Sequence, residues 1–129
     1  MLRNLTTTVF ITTLAFIFSG TGIAGPREDQ LAGYAKAANA AASGFSAERG
    51  KALHTQNFAS GKANTPACTS CHGKDTRAAG RTLVGKQIDP MALSVSPSRY
   101  TDPAKVEKWF KRNCTEVLGR ECSAQEKGD

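Results

Sequence analysis

Cys68-Thr69-Ser70-Cys71-His72 leaves this chain few options. The two thiols are separated by one short turn, which brings both sulfurs to the same side of the segment, and an imidazole follows at once. Two thioether bonds from such a pair reach the two vinyl edges of one porphyrin, and the adjacent residue then lies under the iron, so the stretch reads as the attachment site of one covalently bound haem c. His72 becomes the proximal axial ligand, with its other ring nitrogen expected to donate to a backbone carbonyl that fixes the tautomer. Two plainer readings compete. A structural zinc needs four close ligands, yet the remaining cysteines, Cys114 and Cys122, are spaced for a bridge rather than for a metal knuckle. A thioredoxin-like dithiol belongs in a βαβ pattern rich in Val and Ile, which this chain lacks.

The chain begins Met1-Leu2-Arg3, carries an apolar run from Val9 to Phe18 and then reaches Gly22-Ile23-Ala24. A basic start, a short apolar stretch and small residues before a cut make up a secretory signal, so residues 1–24 are expected to be a signal peptide removed after Ala24. An N-terminal membrane anchor fits less well, because Thr12 and Thr13 interrupt a run shorter than the ~20 residues a spanning helix needs. No stable membrane insertion is therefore expected after cleavage. Haem c is attached outside the bacterial cytoplasm and disulfides persist there, which makes the periplasm the expected compartment.

Cleavage removes Arg3 and no acid, so the formal charge of +6 becomes +5 over residues 25–129. That length permits a single domain, and a porphyrin adds apolar volume that the chain need not supply. The basic balance does not indicate nucleic acid, since Lys and Arg are scattered among acids and no nucleic-acid motif accompanies them. It suits a basic face that steers docking to an acidic redox partner, either a cytochrome or a membrane electron-transfer protein.

Gln30 to Ala42 is alanine-rich, with Leu31, Tyr34, Ala35, Ala38 and Ala42 on one helical face, and Ser43-Gly44 ends it. A second helix is expected from Ser46, a natural N-cap, through His54. The polar, turn-rich stretch from Ala59 to Pro66 reads as a loop delivering the chain to Cys68. From Lys74 to Arg99 neither helical nor strand period holds for long, and the segment is expected to pack against the cofactor rather than against other elements. The best-defined helix then starts with Asp102 as N-cap and Pro103 at the first helical position, and stops at Gly119. Val106, Trp109, Phe110, Asn113 and Val117 fall on one face of it, with Lys105, Lys108, Lys111 and Arg112 on the other.

Asn113 is out of place in that stripe, because an amide carries four hydrogen-bonding positions that an apolar core does not satisfy. It either bonds to nearby backbone or meets a haem that has no other obvious sixth ligand. Cys114 and Cys122 close a short loop around Gly119, and in an exported protein a disulfide is the economical reading. Ser123-Ala124-Gln125-Glu126 is a capping box with almost no helix behind it before Asp129, which reads as a terminal helix shortened relative to the chain's relatives.

The chain resembles the sphaeroides haem protein family, high-spin monohaem cytochromes c with an asparagine as distal haem ligand. The residues that carry the resemblance are Thr65-Pro66-Ala67-Cys68-Thr69-Ser70-Cys71-His72-Gly73, Gly85-Lys86, Ile88, Pro90 and Ser96 to Asp102. It continues through Val106-Glu107-Lys108-Trp109, Arg112-Asn113-Cys114 and Gly119-Arg120-Glu121-Cys122. The attachment motif is common to all cytochromes c; Arg-Asn-Cys followed by Gly-Arg-x-Cys is far more specific. The resemblance implies an all-α, small class I cytochrome c-type domain around one covalent haem. It further implies Asn113 as distal iron ligand, with Cys114 and Cys122 as the family's disulfide beside it. Gly50 followed by His54 resembles the N-terminal helix of monohaem cytochromes c, where a glycine permits close contact with the terminal helix; His54 stands where an aromatic residue is usual.

Two other side chains compete for the sixth position: Met91, the only methionine after the signal segment, and His54. An amide is a feeble donor, so an Asn113-ligated ferric iron is expected to be largely high-spin and the ferrous iron open to O₂, NO or CO. A Met91-ligated iron would stay closed and simply carry electrons. The favoured reading is thus an electron-transferring cytochrome that transiently binds diatomic gases, with a closed His/Met carrier as the alternative. A gas-reducing enzyme is a more distant third, since only Arg99, Tyr100 and Arg112 offer themselves as proton donors.

Overall fold

Three of the helices begin at a side-chain cap, Ser46, Asp102 or Ser123. The computed structural model describes residues 25–39 and 44–129; the expected signal segment and the expected helix end at Ala42-Ser43 lie outside the described residues. Helix α1 spans Pro26–Ala37. It starts before Gln30, because Pro26 takes the first helical position and Glu28 and Asp29 complement the positive end of the helix dipole. Helix α2 spans Ala47–Thr55, with the Ser46 hydroxyl accepting from the Arg49 N–H as expected. The attachment motif forms a short helix, α3, over Thr69–His72.

The long segment that follows contains one feature its sequence did not announce. Strands β1 (Gly80–Arg81) and β2 (Gln87–Ile88) pair antiparallel, with Gly80 opposite Ile88 and Arg81 opposite Gln87. Two-residue strands are too short to show a period of two, so the hairpin is invisible to pattern reading. Helix α4 spans Pro103–Leu118, capped by the Asp102 carboxylate on the Lys105 N–H and ended by Gly119 at φ 72°. Helix α5, Ala124–Gly128, starts with the Ser123/Glu126 capping box in place.

Helices α1 and α2 both pack on α5, and α1 also meets α4. A methyl group on Gly50 would run into the Asp129 backbone, so that glycine sets how closely α2 approaches the end of α5. Arg49 and the Ser46 N–H both bond the Asp129 carboxylate, at 2.7–2.8 Å. Between α1 and α4, Tyr34 packs edge-on against Phe110 and its hydroxyl donates to Glu107, which also pairs with Lys127 at 2.6 Å. Cys114 and Cys122 are joined, with Cα atoms 5.5 Å apart. The loop ahead of the attachment motif rests on the end of α4: the Lys62 N–H donates to the Glu116 carbonyl and the Ser60 hydroxyl to the Leu118 carbonyl, both at 2.7 Å. Among the described residues, no helix is long and apolar enough to cross a membrane.

Candidate functional site

Helix α3 is a single turn wound from local bonds. The N–H groups of Cys71 and His72 donate to the Cys68 carbonyl, and that of Gly73 to the Thr69 carbonyl at 3.0 Å. Both thiols are free and half-buried on this turn, and burial pushes the Cys68 thiol above its ordinary pKa. Burial first, then the positive charge of Arg99 and then His54, depress the His72 pKa, which holds the imidazole in its neutral form with a lone pair for a metal. Among the described residues, no group of three or more His, Cys, Asp and Glu side chains is gathered to hold a metal ion, so the four-ligand set of a structural zinc is not assembled here.

Strand β1 and His54 approach the turn, and two further sets of hydrogen bonds hold the loop that follows β2. Strand β1 lies against the turn so closely that a methyl on Gly80 would overlap the Cys71 carbonyl and sit 3.0 Å from the His72 Cα. The Thr76 carbonyl accepts from the N–H groups of Met91 and Ala92, both at 2.9 Å, which folds the loop back behind the hairpin. Arg99 donates from one guanidinium nitrogen to the carbonyls of Asp89 and Pro90, at 2.9 and 3.0 Å, and so fixes the chain on either side of that fold. His54 lies on the His72 side. Its Nε2 is 2.9 Å from the Gly73 carbonyl and its ring centroid 6.3 Å from that of His72.

The expected inward stripe of α4 divides into two faces. Cys114, Val117 and Leu118 are buried and Phe110 half-buried, on the side that meets α1 and the disulfide loop. Trp109 and Asn113, one helical turn apart, point elsewhere, with half-buried Val106 beside them; Trp109 keeps 42% exposure and Asn113 is exposed. The Asn113 carboxamide makes no hydrogen bond among the described residues, whereas the Thr115 hydroxyl bonds back to the Lys111 carbonyl. The local-backbone reading of Asn113 therefore does not describe it. Leu83, Val84 and Val95 are exposed too, Val84 at 91%, and among the described residues the buried apolar side chains are Ala35, Ala67, Cys114, Val117 and Leu118. Two free, half-buried thiols and an imidazole on one turn fit the attachment of a covalent porphyrin, and exposed apolar side chains such as Trp109 would be available to pack on it.

The comparisons agree with this chemistry. Residues 40–129 match a family described as a domain of unknown function, DUF1924. The chain is 47% identical over 118 residues to the cytochrome c-type protein SHP of Cereibacter sphaeroides, covering 90% of this chain and 89% of that protein. Its structure is similar to that of oxidized SHP, described as an oxygen binding cytochrome c, with a TM-score of 0.76 and 48% identity over 84% of this chain and 93% of the other. It is also similar to the solution structure of cytochrome c'' from Methylophilus methylotrophus, described as giving insights into the structural basis of haem-ligand detachment. There the TM-score is 0.64 and the identity 33%, over 80% of this chain and 86% of the other. Fold and site define a class I-like c-type cytochrome with one covalently bound haem c. The chain belongs to the sphaeroides haem protein (SHP) family, the DUF1924 family of the residue 40–129 match.

Proposed function

We propose that the protein is an exported, periplasmic cytochrome that transfers electrons and, when ferrous, binds diatomic gases at a haem whose sixth ligand, Asn113, is displaceable. Residues 1–24 serve as the signal peptide and residues 25–129 form the mature domain. Cys68 and Cys71 carry the thioethers, His72 is the proximal ligand, and the Cys114–Cys122 disulfide anchors the α4 end beside Asn113. The bound haem supplies a one-electron centre and a coordination position for O₂ or NO. The observation that carries the reading is Asn113 itself, a carboxamide with no hydrogen-bond partner among the described residues, on the exposed Trp109 side of α4. Being neutral and weakly basic, it yields the position to a better ligand and keeps an N–H pair with which to donate to a bound gas.

The similarity to an SHP described as oxygen binding supports the gas-binding part. His54 does not compete for the distal position, since its ring is tied to Gly73 beside His72. For the partner, the basic side of α4 supports docking to an acidic redox protein. Lys105, Lys108 and Arg112 share one face and have no acidic partner among the described residues, while Lys111, Lys62 and Lys127 are paired with Glu121, Glu116 and Glu107. Arg112 stacks over Trp109, 5.3 Å from the ring centroid, at the edge of the uncovered face.

The test is a titration of the reduced holoprotein with carbon monoxide and nitric oxide, followed optically. Fast binding without displacement of a strong ligand is the expected result. A spectrum that neither gas perturbs would instead show a closed six-coordinate carrier and overturn the gas-binding reading.

A further inference from the structure

His54 is an imidazole that electron transfer and gas binding do not use, and it stands next to the residue on which both depend. A carbonyl oxygen only accepts, so the 2.9 Å contact with Gly73 requires that His54 carry a hydrogen on Nε2. The Gly73 peptide is then held from both ends: its N–H donates to the Thr69 carbonyl inside α3, and its carbonyl receives His54 from α2. Gly73 sits at φ 69°, a conformation in which the chain leaves His72 by a turn that only glycine takes without strain. Helix α2 is itself fixed, by Gly50 against the Asp129 backbone and by Arg49 on its carboxylate. A rigid path thus runs from α5 through α2 and the His54 ring to the backbone immediately after His72.

We propose that His54 is a positioning residue for the proximal ligand: its Nε2–H grips the Gly73 carbonyl and so sets the orientation of the His72 ring toward the haem iron. This rests on the reading of His72 as that ligand. An aromatic hydrocarbon at position 54 would fill the same space and hold nothing. The role is therefore one of hydrogen bonding rather than of packing, which makes it separable by substitution.

The experiment compares wild-type, His54→Phe and His54→Gln holoproteins by resonance Raman scattering of the ferrous iron–histidine stretch and by hydrogen exchange of the peptide containing Thr69 to Lys74. A His72→Gly variant establishes whether the band belongs to His72 at all. If the band survives that change, the parent assignment fails and the His54 proposal with it, whereas the outcomes below concern His54 alone. His54→Phe is expected to shift and broaden the band and to speed exchange of the turn about fivefold, as loss of one net hydrogen bond implies. His54→Gln, whose Nε2 occupies a similar position, is expected to restore both. If His54→Phe leaves the band and the exchange rate at wild-type values, or if Gln behaves as Phe does, the proposal is overturned. Should His54→Phe fail to mature with its haem, His54→Leu takes its place against His54→Gln under the same criteria.

Discussion

At the scale of single residues, the attachment chemistry was legible because it is local. Cys68, Cys71 and His72 lie within five consecutive positions, and one short helical turn, α3, carries them. Asn113 stood out in the sequence as an amide in an apolar stripe; in the structure it is exposed on the Trp109 side of α4 and makes no side-chain hydrogen bond among the described residues. What pattern reading did not reach are residues whose role lies in a distant contact, Gly80 and Arg99 above all. Gly80→Ala would drive a methyl into the Cys71 carbonyl and against the His72 Cα, so β1 must move off the attachment turn. A loss of about 1–3 kcal/mol is expected, seen as a lower melting temperature of the holoprotein and a smaller yield of attached haem. An alanine variant that matures and melts like wild type would show that the close approach is not needed. For Met91→Ala the expectation is an unchanged ferric spectrum, and a gain of high-spin character on that change would assign the sixth position to the thioether.

At the scale of elements, α4 was the easiest to read, since Asp102, Pro103 and Gly119 mark its ends with independent chemistry. Its faces were harder. A stripe of five positions looked like one inward surface, but the packed side is the one with Cys114 and Leu118, and Trp109 and Asn113 belong to another. Only the placement of α1 and α5 distinguishes them. The start of α1 was misread because its alanines begin after its proline cap. Reducing the Cys114–Cys122 bridge, with a sequence separation of 8, should lower stability by about 2–3 kcal/mol on loop-entropy grounds. A denaturant midpoint that does not move on reduction would count against that.

Helix α5 carries the pH dependence. Hydrogen bonding from Arg120 lowers the Glu126 pKa to about 2, against burial that opposes it. A carboxylate depressed on folding contributes stability that is present above its unfolded pKa and is lost as pH falls through the folded one. The contribution should therefore fade between about pH 4.5 and 2, and Glu126→Gln should make the fall of the melting temperature over that interval shallower, leaving the part due to Asp129, which Arg49 also lowers to about 2. An equally steep acid limb in the variant would place the dependence elsewhere.

At the scale of the whole molecule, the core is too small for the chain around it. Among the described residues, the buried apolar side chains include no aromatic one, while Trp109, Leu83, Val84 and Val95 are exposed. A bound porphyrin would give these side chains an apolar surface to pack on, and would give a segment as irregular as that from Lys74 to Arg99 a partner within the domain. The charge distribution is also a whole-molecule property: Glu121 pairs with Lys111, and Glu116 and Glu107 on α4 pair with Lys62 and Lys127, while Lys105, Lys108 and Arg112 have no acidic partner among the described residues. Electron exchange with ferricyanide, a trianion, should slow as ionic strength rises, and the Lys105→Glu/Lys108→Glu double variant should remove most of that salt dependence. A salt dependence that survives the double change would move the docking surface off this helix.

Spin state decides the central claim, that a weak carboxamide occupies the sixth position. Low-temperature electron paramagnetic resonance of the ferric holoprotein, wild type beside Asn113→Ala, reads it directly. The expected result is a predominantly high-spin wild-type spectrum whose residual low-spin component disappears in the alanine variant. A wholly low-spin signal unaltered by Asn113→Ala would contradict it.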